Sequence, residues 1–367
     1  MSKIFQTRVL TILTMVLGIL LLNSCQKEFT ITATSNDATM GIVAGSGVYK
    51  KGTVVQLAAM PATGYQFAKW DDGNTDNPRS IIVEKNATYT AVFVIEKVDA
   101  YFSVSATNKV YFSPGNLQWS ATNGGSTATT HAVAGNGTAA GTWRFAPNQW
   151  DTIGDGNHNI SSTYTGWIDL FCWGTSGYDE KYPYKINGEG EDYGNGDNDI
   201  TGTNYDWGVY NAIYNPTTNM EDAPGTWRTL TIEEWEYLLD TRTTSSNIRY
   251  AKATVVGVEG LIIVPDNWNK TTYPLQSTNT SDAYCVVNTI NNSDWAKLEA
   301  TGCIFLPAAG IAVGTSVSSV GLNGTYWSAT SRNEYGAKYL NFEPLKLNTS
   351  NSRRYVGRSV RLVRDVQ

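Results

Sequence analysis

The sequence predicts a mostly β, α+β protein with a few short helices. Three observations carry this. Tyr and Trp are abundant, 21 and 12 of 367 residues, and both favour strands. Short runs alternate apolar and polar residues, as in Phe29-Thr30-Ile31-Thr32-Ala33. Turns rich in Gly, Asn and Asp separate these runs. The length suits two or three domains. Net charge is -6; without residues 1–24, which hold Lys3 and Arg8, 25 basic residues stand against 33 acidic ones, giving -8. An acidic balance with no basic run argues against nucleic acid as a partner.

The first segment reads as a targeting signal. Lys3 and Arg8 precede Val9–Leu22, an apolar run of 14 residues, short for a membrane span and ordinary for a signal peptide. It ends Leu22-Asn23-Ser24-Cys25, which resembles a bacterial lipobox. The resemblance implies a signal peptide over 1–24 and lipidation of Cys25, with acyl chains holding the protein to a membrane. A plain signal peptide with an incidental cysteine is the alternative. Gln26-Lys27-Glu28 is similar to the short charged signals of Gram-negative lipoproteins exposed on the outer membrane.

Residues 28–97 read as a strand-rich unit. After the strand at Phe29 comes Val54-Val55-Gln56-Leu57-Ala58-Ala59, then a turn at Pro61–Tyr65. A short strand closes on Phe67 and Trp70, Asp71-Asp72-Gly73 turns the chain, and Ile81–Val83 and Tyr89–Phe93 follow. Together these motifs resemble the divergent internalin-type B repeat of bacterial surface proteins. The resemblance implies a small β-grasp-like spacer, with Trp70 as core or as a ligand platform.

Residues 100–367 form the second unit. Gly115–Trp119 and Trp143-Arg144-Phe145 read as strands around a low-complexity Gly/Ser/Thr/Ala loop over 120–141. Thr231-Ile232-Glu233-Glu234 is a capping box, with Ile232, Trp235, Leu238 and Leu239 on one helix face. A second short helix is expected after Ser293, with Trp295 and Leu298 inward and Gly302 ending it. Leu261–Pro265 and Ile304–Pro307 read as further strands.

Trp227–Leu238 resembles the corresponding helix of formylglycine-generating-enzyme-like proteins of the C-type lectin fold. Phe305–Gly310, Tyr326-Trp327-Ser328-Ala329-Thr330 and Gly357–Arg364 are similar to the Fibrobacter succinogenes major paralogous domain of the same fold group. The implied architecture is a C-type-lectin-like domain over 100–367. Catalytic members carry a cysteine pair in the C-terminal core, and 324–367 contains no cysteine; Cys285 and Cys303 lie upstream. There is no G-x-S-x-G elbow, and the two histidines, His131 and His158, have no zinc spacing. The expectation is therefore a binding protein without catalytic residues. Cys172, Cys285 and Cys303 are either buried apolar residues or include a Cys285–Cys303 pair.

Between the two framework motifs runs a polar strip. Its ligand-binding candidates are Tyr326, Ser331, Arg332, Asn333, Tyr335, Lys338, Tyr339, Asn341, Glu343, Lys346 and Arg353. Leu340, Phe342, Leu345 and Leu347 read as the inward positions of one strand, which points Tyr339, Asn341, Glu343, Lys346 and Asn348 outward. Ser331–Tyr335 and Ser350–Arg353 read as loops before and after it. Aromatic, Arg and Asn side chains build adaptable binding surfaces. Proteins that end this way include targets of diversity-generating retroelements, so the resemblance also implies a strip whose codons are diversified. The partner is expected to be a surface protein or a glycan. An ordinary polar surface, a structural adhesion or fimbria-associated role, and a divergent formylglycine-generating-type enzyme are the alternatives.

No cofactor is expected. Two oxygen-rich loops, with Asp151 and Asp155 in one and Asp197 and Asp199 in the other, are weak Ca²⁺ candidates, although turn formation accounts for the same residues. The run Gly166–Gly174 offers either stacking platforms for sugars or core.

Overall fold

The computed structural model describes residues 27–62, 65–95, 100–121, 141–159, 164, 166–184, 193–271, 273–276 and 287–366. The signal-peptide segment, Cys25, His131, Cys285 and most of the 120–141 loop lie outside the described residues. The chain divides into two compact units, Met1–Glu96 and Lys97–Gln367. Strands dominate and helices are few and short.

The first unit contains β1 (Glu28–Ser35), β2 (Gly41–Ala44), β3 (Gly47–Lys50), β4 (Val54–Pro61), β5 (Tyr65–Trp70), β6 (Arg79–Ile82) and β7 (Ala87–Ile95). They form two sheets, β3-β1-β7-β5 and β2-β4-β6. β1 and β7 pair in parallel at the centre of the larger sheet, with antiparallel strands on either side. The smaller sheet covers one face, so alternate residues Val55, Leu57 and Ala59 of β4 meet Ile31, Ala91 and Phe93 in one core. Trp70 lies at its heart, fully buried, and its indole N–H donates to the Asp76 carbonyl at 2.9 Å. The β2–β3 segment had no strand signal because Gly41, Gly45, Ser46 and Gly47 read as turn residues.

The second unit continues with β8 (Phe102–Ser103), β9 (Lys109–Phe112), β10 (Leu117–Ser120), β11 (Thr142–Phe145), β12 (Ile213–Asn215), β13 (Met220–Asp222), β14 (Arg228–Thr229), β15 (Tyr250–Val255), β16 (Val258–Ile263) and β17 (Thr289–Ile290). It ends with β18 (Ile304–Pro307), β19 (Ile311–Val313), β20 (Ser316–Ser318), β21 (Gly324–Asn333), β22 (Gly336–Glu343), β23 (Lys346–Arg353) and β24 (Leu362–Asp365). Among the described residues the α-helices are α1 (Trp207–Tyr210), α2 (Ile232–Glu236), which a further helical turn Tyr237–Thr241 continues, and α3 (Asn292–Ala300).

The capping box forms: Thr231 Oγ1 accepts the Glu234 N–H at 3.2 Å, and Glu234 accepts the Thr231 N–H at 2.9 Å. Two orphan donors are thereby satisfied, and Ile232, Trp235, Leu238 and Leu239 turn into the core. α3, expected after Ser293, begins at Asn292, one residue before it, because Asn291 is the cap and accepts the Asp294 N–H at 2.9 Å. Gly302 leaves the helix with φ 85°, a conformation that favours glycine.

The chain's last strand sits inside a sheet, in the order β14-β24-β9-β8. This placement explains the framework motif 357–364. Val360, Leu362 and Val363 are buried, and Arg361 donates to Gln149 Oε1 at 2.7 Å in the interior. β21, β22 and β23 make a separate antiparallel meander. One face of β21 and β22 packs Tyr326, Leu340 and Phe342 against Trp235; the other packs Trp327, Ala329 and Ala337 among Trp173 and Val360. Gly324 permits the tight crossing, since a Cβ there would meet the Phe342 ring at 1.8 Å.

Candidate functional site

The polar strip folds as the meander β21-β22-β23, which corrects three expectations. Leu345 is exposed at a hairpin tip (53%), because Pro344 cannot continue the strand ladder and the chain reverses there. Ser350–Arg353 belong to β23, not to a loop. Ser331–Asn333 end β21 rather than lying in a loop.

Three candidates turn inward. Tyr326 is fully buried; its hydroxyl donates to the Pro307 carbonyl at 2.9 Å and accepts from Asn116 at 3.0 Å, so it is framework and presents nothing to a ligand. Asn341 is buried, with its amide on Glu343 Oε1 at 3.1 Å and Asn348 Oδ1 at 3.3 Å. Tyr339 is half-buried against Trp327, and the Arg358 guanidinium lies 3.5 Å from its ring centre. Burial pushes the Arg358 pKa down to about 10. Strand alternation does not point Tyr339 and Asn341 outward, because both faces of β22 are covered.

The remaining candidates collect at the two ends of the meander. At one end are Ser331, Arg332, Asn333 and Tyr335 with Arg353, whose guanidinium lies 5.6 Å from the Tyr335 ring centre. Glu334 completes this exposed tip. At the other end are Glu343, Leu345 and Lys346, about 23 Å away along an eight-residue strand. Lys338 lies between them, 3.9 Å from Glu233.

The tip is held by Arg354, which sequence reasoning missed. Arg354 is buried, stacks 4.4 Å from the Trp173 ring centre, and donates to five oxygens. Two are the carbonyls of Tyr193 and Gly196, each at 2.6 Å; two are the Asn333 carbonyl at 2.5 Å and Ser331 Oγ at 2.8 Å. The fifth is the Gly336 carbonyl at 3.4 Å. The guanidinium therefore ties the 193–199 loop to the hairpin. Desolvation pushes its pKa down to about 10, and it remains a cation at neutral pH. Asp199 adds a second tie by accepting the Ser331 N–H at 2.7 Å.

The Ca²⁺ candidates Asp151, Asp155, Asp197 and Asp199 do not converge. Among the described residues, no group of three His, Cys, Asp or Glu side chains is placed to hold a metal. Asp151 instead accepts the Asn148 N–H at 2.9 Å, and Gly154, Gly194 and Gly196 adopt positive φ as turn residues. In Gly166–Gly174, Ile168, Leu170, Phe171 and Trp173 are buried core; only Trp167 of the apolar members is half-buried, with Arg144 3.8 Å from its ring centre. Cys172 and Cys303 are buried thiols; the Cys172 thiol lies 3.2 Å from the Tyr355 carbonyl, and burial pushes the Cys303 pKa up to about 12.

Residues 31–97 match the divergent InlB B-repeat domain. The first unit is thus a B-repeat module, a type compatible with surface adhesion proteins. The match covers under a fifth of the chain. No curated protein and no solved structure matches the sequence.

Proposed function

We propose that the protein is a lipid-anchored surface protein of the outer membrane, in which the B-repeat module serves as spacer and the C-terminal unit, a C-type-lectin-like domain, captures a protein or glycan ligand. The carrying observation is the exposed tip Arg332, Asn333, Glu334, Tyr335 and Arg353, mounted on a hairpin that buried Arg354 fixes to the body. Such a site separates geometry from specificity. Backbone carbonyls and an internal cation set the shape, and the outward side chains are left to vary without loss of fold. The mechanism is recognition rather than catalysis. The same separation suits a strip diversified by a retroelement.

The test replaces Arg332, Tyr335, Lys346 and Arg353 together by Ala and probes a cell-surface and glycan array. Loss of capture with an unchanged melting transition is expected; unchanged capture refutes the reading. Tyr339 is left intact, because its ring packs against Trp327 and Arg358. For the anchor, Cys25→Ser is expected to move the protein from the membrane to the soluble fraction and abolish acyl labelling.

A further inference from the structure

The two edges of the C-terminal meander are treated differently. The outer side of β21 is bonded along its length: Trp327 donates to the Ser359 carbonyl at 3.0 Å, Ala329 to Leu230 at 2.7 Å, and Ala329 accepts from Ile200 at 3.0 Å. β23 pairs only with β22. Among the described residues, no backbone bond from outside β22 reaches 346–352; the Asn348 amide donates to the Thr349 carbonyl at 2.9 Å, and the Thr349 hydroxyl donates to Glu236 Oε1 of α2 at 2.8 Å.

Open edges are ordinarily blunted by short length, proline, bulges or charge. β23 is eight residues long, contains no proline, and pairs with β22 in unbroken register from Gly336↔Arg353 to Glu343↔Lys346. The paired strand β21 does carry register breaks, after Trp327 and after Ser331. The sequence of β23 is Lys346-Leu-Asn-Thr-Ser-Asn-Ser-Arg353: six uncharged residues between two cations, with no acid. The sole carboxylate opposite it in the register, Glu343, takes the Asn341 amide.

We infer that β23 is a docking edge for an extended peptide segment that adds as a fourth strand and carries acidic residues near both ends. This rests on the reading that the C-terminal strip is the binding surface, and it names how the two exposed ends are bridged. A ligand reaching both the Arg353 tip and the Lys346 turn must run about 23 Å, the length of β23 itself. Backbone pairing supplies affinity in strand addition, and side chains supply choice. A second copy of the chain is disfavoured, because antiparallel self-pairing centred on Thr349 and Ser350 sets Lys346 against Arg353 at both ends.

The test uses fluorescent synthetic peptides of alternating threonine and valine, ended by glutamates in one and lysines in another. Two further glutamate-ended peptides are N-methylated at alternate residues, each blocking one edge. On the intact protein, the glutamate-ended peptide is expected to bind about tenfold or more tightly than the lysine-ended one. One of the methylated peptides is expected not to bind. The K346E/R353E variant is expected to invert the charge preference. No binding of any peptide, equal binding of both methylated forms, an unaltered preference in K346E/R353E, or a dimer closed through β23 each overturns the inference. An R332A/Y335A variant separates this from the broader reading. Loss of array capture in that variant without peptide binding leaves the display surface standing and removes the edge. Peptide binding with array capture untouched does the reverse.

Discussion

The B-repeat module and the C-terminal meander are both small β assemblies, but different forces hold them. In the module, one face of each sheet is apolar, and Trp70 fills the space between sheets with Val55, Leu57, Ile81 and Phe93 around it. In the meander, apolar packing covers β21 and β22, while the outer turns are fastened by Arg354 and Asp199 through carbonyls, a hydroxyl and an amide. The module is held by a shared apolar core, whereas the turns of the meander are fixed mainly through the main chain, with Ser331 Oγ as the side-chain acceptor of Arg354.

The comparison breaks most visibly at Trp70. Trp70→Ala removes the largest buried side chain of the module and is expected to destabilise it by about 3–5 kcal/mol. Calorimetry should show the module's transition lost or far lower, with that of the second unit unchanged; coupled loss of both would end the picture of separate cores. Arg354→Met strands several carbonyls and is expected to destabilise the second unit by about 3 kcal/mol. Hydrogen exchange should rise in 193–199 and 331–336. Arg354→Lys is not expected to restore protection, since a single ammonium cannot span the same oxygens.

A third prediction concerns Asp206, buried at the N-cap of α1, where desolvation raises its pKa to about 6 despite hydrogen bonds from Thr229 and Gly208. The native state then binds a proton more tightly than the unfolded chain. Its contribution is fully present below about pH 4 and is lost as pH rises through about 6, a change of about 3 kcal/mol. A carboxyl titration by NMR with midpoint under 4 would contradict it. The smallest stability effect belongs to the tip: the fourfold alanine variant should shift stability by no more than about 0.5 kcal/mol.

Much of the module was legible because strand alternation is local and period two: Val55, Leu57 and Ala59 declare their own face. The α2 cap was equally legible, since its partners lie three residues apart. The meander was less so. Pro344 marks its turn, yet the leucines around it imitate a single long strand. Arg354 was invisible because its carbonyl partners at Tyr193 and Gly196 lie about 160 residues away. An arginine beside Ser352 and Arg353 looks like one more exposed cation until the fold supplies that loop.

The position of β24 between β14 and β9 has a consequence for how this protein is made. Val363 pairs with Phe112 and with Arg228, so a sheet begun near residue 109 stays open until Asp365 has left the ribosome. Contacts of such separation form late. The sheet of the second unit therefore closes only after β24 has been made, since its two neighbours in the sheet come from residues 109–112 and 228–229. Removing Leu362–Asp365 would leave β14 and β9 without the strand that joins them, and the core without Leu362 and Val363.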